Sequence, residues 1–212
     1  MSELSSNKVS WLPAYEVFGE GIFIKFSDSK LDIWKAKYAD SFSKIIERYN
    51  KSMLQRRPSS DLRNLSPIFI LMHTFSHLLI KRLCFSCGYG SSALRERIYF
   101  SEDKENRMNG VLIYTSSGDS EGSLGGLVRQ GREKYLGKLI IDSIEEAQWC
   151  SADPVCSDIG KKDGQGPDGV NGSACHNCCL LPETSCEEYN SLLDRACVVG
   201  TLENPELGFF NS

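Results

Sequence analysis

Six of the nine cysteines lie between Trp149 and Cys186, at positions 150, 156, 175, 178, 179 and 186. This crowding constrains the fold more than any other feature. The intervening stretch 157–174, SDIGKKDGQGPDGVNGSA, is rich in Gly, Asp and Lys and nearly free of large apolar side chains. Such a segment cannot build a core of its own, so something must fix its ends, and a tetrahedral zinc ion held by thiolates does that. Cys175-x2-Cys178 forms a knuckle that presents two sulfurs to one ion. Cys186 follows at the start of an expected helix, whose positive end favours a thiolate. The fourth ligand comes from upstream, as Cys156 or Cys150. Cys179, next to Cys178, points away. A set of four cysteines is a closed, structural site, whereas a catalytic zinc keeps a position open.

At 212 residues, with 41% hydrophobic and 25% charged side chains, the composition is that of an ordinary globular chain with a sizeable core. MSELSSNKVSW has no apolar signal-peptide core, which points to the cytoplasm. There a disulfide framework is not expected, and an odd count of nine cysteines could not pair completely. No apolar run reaches membrane-spanning length, since Ile68–Leu83 is interrupted by two His, Thr, Ser, Lys and Arg. The net charge of −4 hides a split: residues 1–100 carry 15 Lys+Arg against 9 Asp+Glu, and the rest is acidic. The basic half suits one wall of a nucleic-acid channel, with Arg56, Arg57, Lys81, Arg82, Arg95 and Arg97 as candidate DNA-facing residues, although a chain acidic overall is a poor non-specific DNA binder.

Strand and helix signals alternate, giving an α/β or mixed α+β class, with a small mixed sheet packed on a central buried helix. A strand is expected within residues 16–27 and a helix over 30–53, its apolar stripe running from Ile33 to Tyr49. Ser66-Pro67 opens a helix that ends at Gly88 and is apolar over most of its girth. Ser92–Arg97 reads as a helical turn before a strand fragment at 98–100. SEDKENRMNG is a loop, and VLIYT (111–115) a buried strand. A further helix is expected over 134–149, and capping boxes at Thr184 or Ser185 start a last one ending near Val198. Residues 1–148 thus form an α/β scaffold, 149–198 a cysteine-rich zinc-binding subregion of the same domain, and 199–212 a tail without regular structure.

Other residues with chemical potential are few. His73 and His77 share a face of the central helix; they read as hydrogen-bonded core histidines or as half of a metal site. Cys84-x2-Cys87 is a possible redox or metal pair. The Asp119–Gly126 loop, DSEGSLGG, has glycines that serve either a phosphate or a tight turn. A metal-dependent nuclease-like enzyme using His73, His77, Asp119 and Glu121 is the alternative function. The sequence contains no P-loop, DExx box, HExxH or zinc-deaminase pattern, so ATP hydrolysis is not expected from these residues.

Four stretches in order, His73–Tyr99, Gly110–Leu127, Trp149–Cys156 and Ala174–Ala196, resemble the zinc-binding domain at the C-terminus of MrfA-type DNA-repair helicases and, more closely, the C-terminal region of the DrmB proteins of the DISARM phage-defence system. The resemblance implies that Cys175, Cys178 and Cys186 bind Zn2+ with Cys156, or alternatively Cys150, as the fourth ligand. It implies a non-catalytic accessory subunit that completes a superfamily 2 helicase or translocase, whose ATPase is on a separate chain, and that guides a DNA single strand in phage defence or DNA repair.

Overall fold

The structure, a computed structural model, describes residues 16, 18–56, 58, 62, 65–115 and 126–211. Its centre is the helix announced by Ser66-Pro67, here labelled α3 and spanning Pro67–Cys87. The Ser66 hydroxyl accepts from the Ile68 N–H at 3.2 Å, and Gly88 ends the helix in the left-handed region at φ 75°. Every residue from Pro67 to Ile80 is buried. By length and composition α3 would cross a bilayer, but 78% of its most apolar window is buried inside this fold. It is a core helix around which the other elements gather.

Among the described residues the sheet has three strands, β1 (Gly21–Lys25), β2 (Leu94–Ser101) and β3 (Met108–Thr115), in the order β1-β3-β2. Both pairings are antiparallel, so the mixed sheet expected from the sequence is not formed. The reason for β2 and β3 is the short loop 102–107, which allows a hairpin but no parallel crossover. The helical turn expected at Ser92–Arg97 is also replaced, because most of it belongs to β2. Leu94 and Glu96 are buried while Arg95 and Arg97 are exposed, a period of two that fits a strand covering α3.

The single helix expected over 30–53 is two, α1 (Asp28–Tyr38) and α2 (Ser43–Arg56), joined by a 3-10 turn at Ala39–Phe42. The turn lets Tyr38, Phe42 and Ile45 all reach the core, where Trp34 and Phe42 lie 5.5 Å apart. Helix α4 (Gly126–Gln130) leads into α5 (Glu133–Ala147), which packs along α3.

The last predicted helix does not form. After a 3-10 turn at Glu183–Ser185 the chain runs irregularly, with positive φ at Tyr189, Asn190 and Leu192, to a single short helix at Ala196–Val199. Tertiary partners take the backbone groups a helix would have used. The Leu192 N–H donates to Val170 O at 3.2 Å, the Gly172 N–H to Leu193 O at 2.8 Å, and the Asp194 N–H to the Thr74 hydroxyl on α3 at 3.0 Å. Propensity here yields to the neighbouring chain. Beyond residue 199, Trp34 Nε1 donates to Leu207 O at 2.8 Å, and Phe75 stacks on Phe210 at 5.6 Å. The C-terminal residues therefore belong to the core.

Candidate metal centres

Among the described residues, the structure gathers chemically active side chains into two clusters. The first is sulfur. Cys150 follows α5, Cys156 lies on a helix at Val155–Lys162, here α6, and Cys175 and Cys178 flank the expected knuckle. Their sulfurs all lie within 4.8 Å of one another. Cys150–Cys175, Cys175–Cys178 and Cys156–Cys178 are separated by 3.5, 3.7 and 3.9 Å. Thiolates about 2.3 Å from a tetrahedral ion stand roughly 3.8 Å apart, so the spacing is that of a metal cage, far beyond a disulfide bond. Chain donors point at the cage: Ala152 N–H to Cys150 Sγ at 3.4 Å, and Gln165 Nε2 to Cys156 Sγ at 3.3 Å.

The glycine-rich stretch closes the loop between these ligands. Gln165 and Asn171 form an isolated antiparallel bridge, and Gln165 also donates to Cys156 O at 2.7 Å. A Cβ on Gly160 would come within 2.5 Å of the Ser173 N, so α6 can approach this backbone only without a side chain there. Arg195, almost wholly buried, donates to Ala147 O at 3.0 Å and pairs with Asp153, whose carboxylate accepts from the Cys150 N–H at 3.0 Å. Contact with Cys178 and burial push the Cys156 thiol well up, and burial raises Cys150. Cys178 is raised too: its contact with Cys156 lowers it but is outweighed by Cys179 and burial. Protons on these thiols would be exchanged for the metal on binding.

Cys186 does not join this cage. Cys150, the alternate ligand, occupies the fourth place, and Cys186 lies with His73, His77 and Glu96 in the second cluster. His73 Nε2 is 2.9 Å from Glu96 Oε1 and 3.2 Å from Cys186 Sγ, and His77 Nε2 is 3.2 Å from the same Glu96 oxygen. Both histidines are fully buried. No helix begins at Cys186, so the helix-end argument for its thiolate does not apply. Burial pushes its pKa up, but the two histidines outweigh that and bring it down to about 7. Burial opposes charging His73 and His77, yet Glu96 raises both, His73 well above the ordinary value, and the pair in turn holds Glu96 far below the usual carboxylate range despite its burial.

Glu96 escaped the sequence reading. Its signal is an acid on the inward phase of a strand, which the helical turn expected at 92–97 hides. Cys179 is buried outside the cage and gives its carbonyl to His77 Nδ1 at 2.9 Å. Cys84 and Cys87, at the end of α3, enter neither cluster; Cys84 contacts Gly90 O at 3.7 Å, and burial raises the Cys87 thiol. Arg57 and residues 119–125 of the glycine loop lie outside the described residues. Of the other basic candidates, Arg56 pairs with Asp168, Lys81 donates to Asn177 O, Arg82 is held by Asp142 and Glu146, and Arg97 pairs with Glu187. Arg95 is exposed on β2.

Residues 75–179 match the family described as the MrfA Zn-binding domain. Over 209 residues the chain is 42% identical to the DISARM protein DrmB of Bacillus paralicheniformis. That alignment takes in 95% of this chain and 35% of the relative, so the chain spans about a third of the length of the curated relative it matches. The resemblance carried by the sequence motifs is the one both comparisons return. All four cage cysteines fall inside the matched span, whereas His73 and Cys186 fall outside it.

Proposed function

We propose that this chain, matching a MrfA-type zinc-binding domain, is a non-catalytic accessory module that binds Zn2+ through Cys150, Cys156, Cys175 and Cys178. It helps a superfamily 2 helicase or translocase, supplied by a partner chain, to guide a DNA single strand in cytoplasmic phage defence or repair. The observation that carries the reading is the closed cage of four sulfurs inside the family match. The four sulfurs would fill the coordination shell of a zinc ion, which would then supply folding energy and leave no position for a reactive water. The DISARM relative favours defence over repair.

The outer face of the sheet supports the nucleic-acid part. Phe23 (57% exposed) and Tyr99 (38% exposed) meet edge to face at 5.8 Å, with Lys25, Arg95 and Arg97 on the same face. The ring of Phe23 reaches across Gly110, where a Cβ would stand 2.6 Å from it. Aromatic rings beside cationic side chains on an open sheet form a stacking platform suited to a single strand, whose bases lie splayed and whose phosphates need neutralising. Arg95 is the candidate this face retains; Arg97 lies on it paired with Glu187, and Arg56, Lys81 and Arg82 are engaged elsewhere.

The test is fluorescence anisotropy of the full chain with an oligo-dT strand across a salt series. Salt-dependent binding is expected, weakened about fivefold or more by Phe23→Ala, because stacking is worth roughly 1–3 kcal/mol per base. Undiminished binding in Phe23→Ala and Arg95→Ala, or no single-strand binding at low salt alone or with a co-purified helicase, sinks the strand-guiding role. Against the nuclease-like alternative, His73 and His77 are both fully buried; its Asp119 and Glu121 lie outside the described residues.

A further inference from the structure

We infer that His73, His77, Glu96 and Cys186 form a second metal site, taking a divalent ion of the zinc class in a closed structural position. The inference does not depend on the four-cysteine cage or on the proposed role in guiding DNA.

Hydrogen-bond accounting carries it. His73 Nδ1 lies 3.3 Å from Leu192 O, and His77 Nδ1 lies 2.9 Å from Cys179 O. A carbonyl oxygen can only accept, so both Nδ1 atoms carry the proton. In a neutral imidazole the Nε2 atom is then a bare lone pair. Both Nε2 atoms face the same carboxylate oxygen, at 2.9 and 3.2 Å, and one also faces a sulfur at 3.2 Å. With Glu96 and Cys186 ionised and no cation present, acceptors confront acceptors in a site sealed from water. Protons relieve this either by charging the two rings, which lie 4.6 Å apart in the core, or by neutralising Glu96 and Cys186 so that they donate to Nε2. A divalent ion instead converts all four converging lone pairs into bonds with both rings neutral. With Glu96 and Cys186 ionised, the ion leaves the buried site with no net charge.

The surroundings are those of an outer coordination shell. Each histidine is oriented by a carbonyl on its far nitrogen. The Ser76 hydroxyl bonds the second carboxylate oxygen of Glu96, and the Asn190 N–H donates to Cys186 Sγ at 3.2 Å. The four donor atoms lie within 4.8 Å of one another. Two imidazoles and a thiolate exclude hard ions such as Mg2+ and Ca2+ and suit zinc, and four protein ligands without an open position make the site structural.

The ion would join three elements distant in sequence: α3 through His73 and His77, β2 through Glu96, and the irregular 186–193 strand of chain through Cys186. It would also pin the left-handed turn at Tyr189–Leu192 that replaces the expected helix. The two sites meet through adjacent residues, since Cys178 belongs to the cage and the Cys179 carbonyl orients His77.

Elemental analysis of the purified full chain is the first test, with two zinc ions per chain expected. Stripping and titrating with Co2+ should then reveal two spectroscopically distinct sites, one with intense four-thiolate charge transfer and one with the weaker bands of a single thiolate. Glu96→Gln and His77→Ala should each lower the zinc content from two to one and leave the four-thiolate spectrum intact. His77→Cys, which restores a ligand, should recover the second ion. One zinc per wild-type chain, with only the four-thiolate cobalt spectrum, overturns the inference whether or not the variants fold. A metal content unchanged in Glu96→Gln, His77→Ala and Cys186→Ala overturns it as well.

Discussion

The two clusters are opposites in construction. The cage takes four identical ligands from one stretch of chain, Cys150 to Cys178, carried largely on turns and a short helix. The second cluster takes three kinds of side chain from a long helix, a strand and a distant loop. The cage sits where apolar side chains are scarce and the backbone needs external support. The second sits beneath the most apolar helix, where packing already stabilises the fold and an unpaired polar group is most costly. Close spacing of one soft ligand type makes a site that organises its own loop; scattered ligands make a site that exists only once the core is assembled.

The largest effect should come from breaking the cage. Zinc binding in small domains is worth about 10–16 kcal/mol, comparable to or above the roughly 5–15 kcal/mol that holds a whole domain together. Cys175→Ser or Cys178→Ser should therefore lose bound zinc and open residues 149–180 to proteolysis. Unchanged metal content together with an unchanged melting temperature would contradict that. Next comes Glu96→Gln, which removes the anionic partner of two buried histidines and should cost about 3–5 kcal/mol in denaturant unfolding. The fold around the cage should survive, and if it does not, the two sites are a single cooperative unit.

Smaller still is Trp34→Phe, which strands the Leu207 carbonyl and should cost about 1–3 kcal/mol without altering metal content. It gives a loss of packing and of one hydrogen bond with the metal content intact, the contrast to both metal-site variants. Smallest is Asp168, whose carboxyl the Ser52 hydroxyl and then Arg56 hold below 3.8. Its folded value is depressed, so its contribution is complete above that ordinary value and disappears as the pH falls through the lower one. Asp168→Asn should shift the melting temperature least, with the difference from wild type present at pH 7 and fading in strong acid.

Local signals served the sequence reading well. Ser66-Pro67 and Gly88 bound α3 because a cap, a ring that fixes φ and a residue that tolerates φ 75° act at their own positions. Cys175-x2-Cys178 announced a metal knuckle because three residues of spacing already aim two sulfurs together. The same logic failed for Ser92–Arg97 and for the helix expected before Val198. Their propensities were outweighed by a β-ladder with β3 and by bonds to residues 170–173. Cys186 is the clearest case. By sequence distance it belongs with Cys178, yet the chain turns left-handed after it and sets its sulfur against His73. The sequence by itself determined the central helix, the zinc-binding character of the cysteine stretch and the family resemblance, all written in contiguous residues. Only the tertiary structure decided that Cys150 completes the cage and that Glu96 and Cys186 face the two histidines, because those positions depend on how α3, the sheet and the C-terminal chain pack against one another.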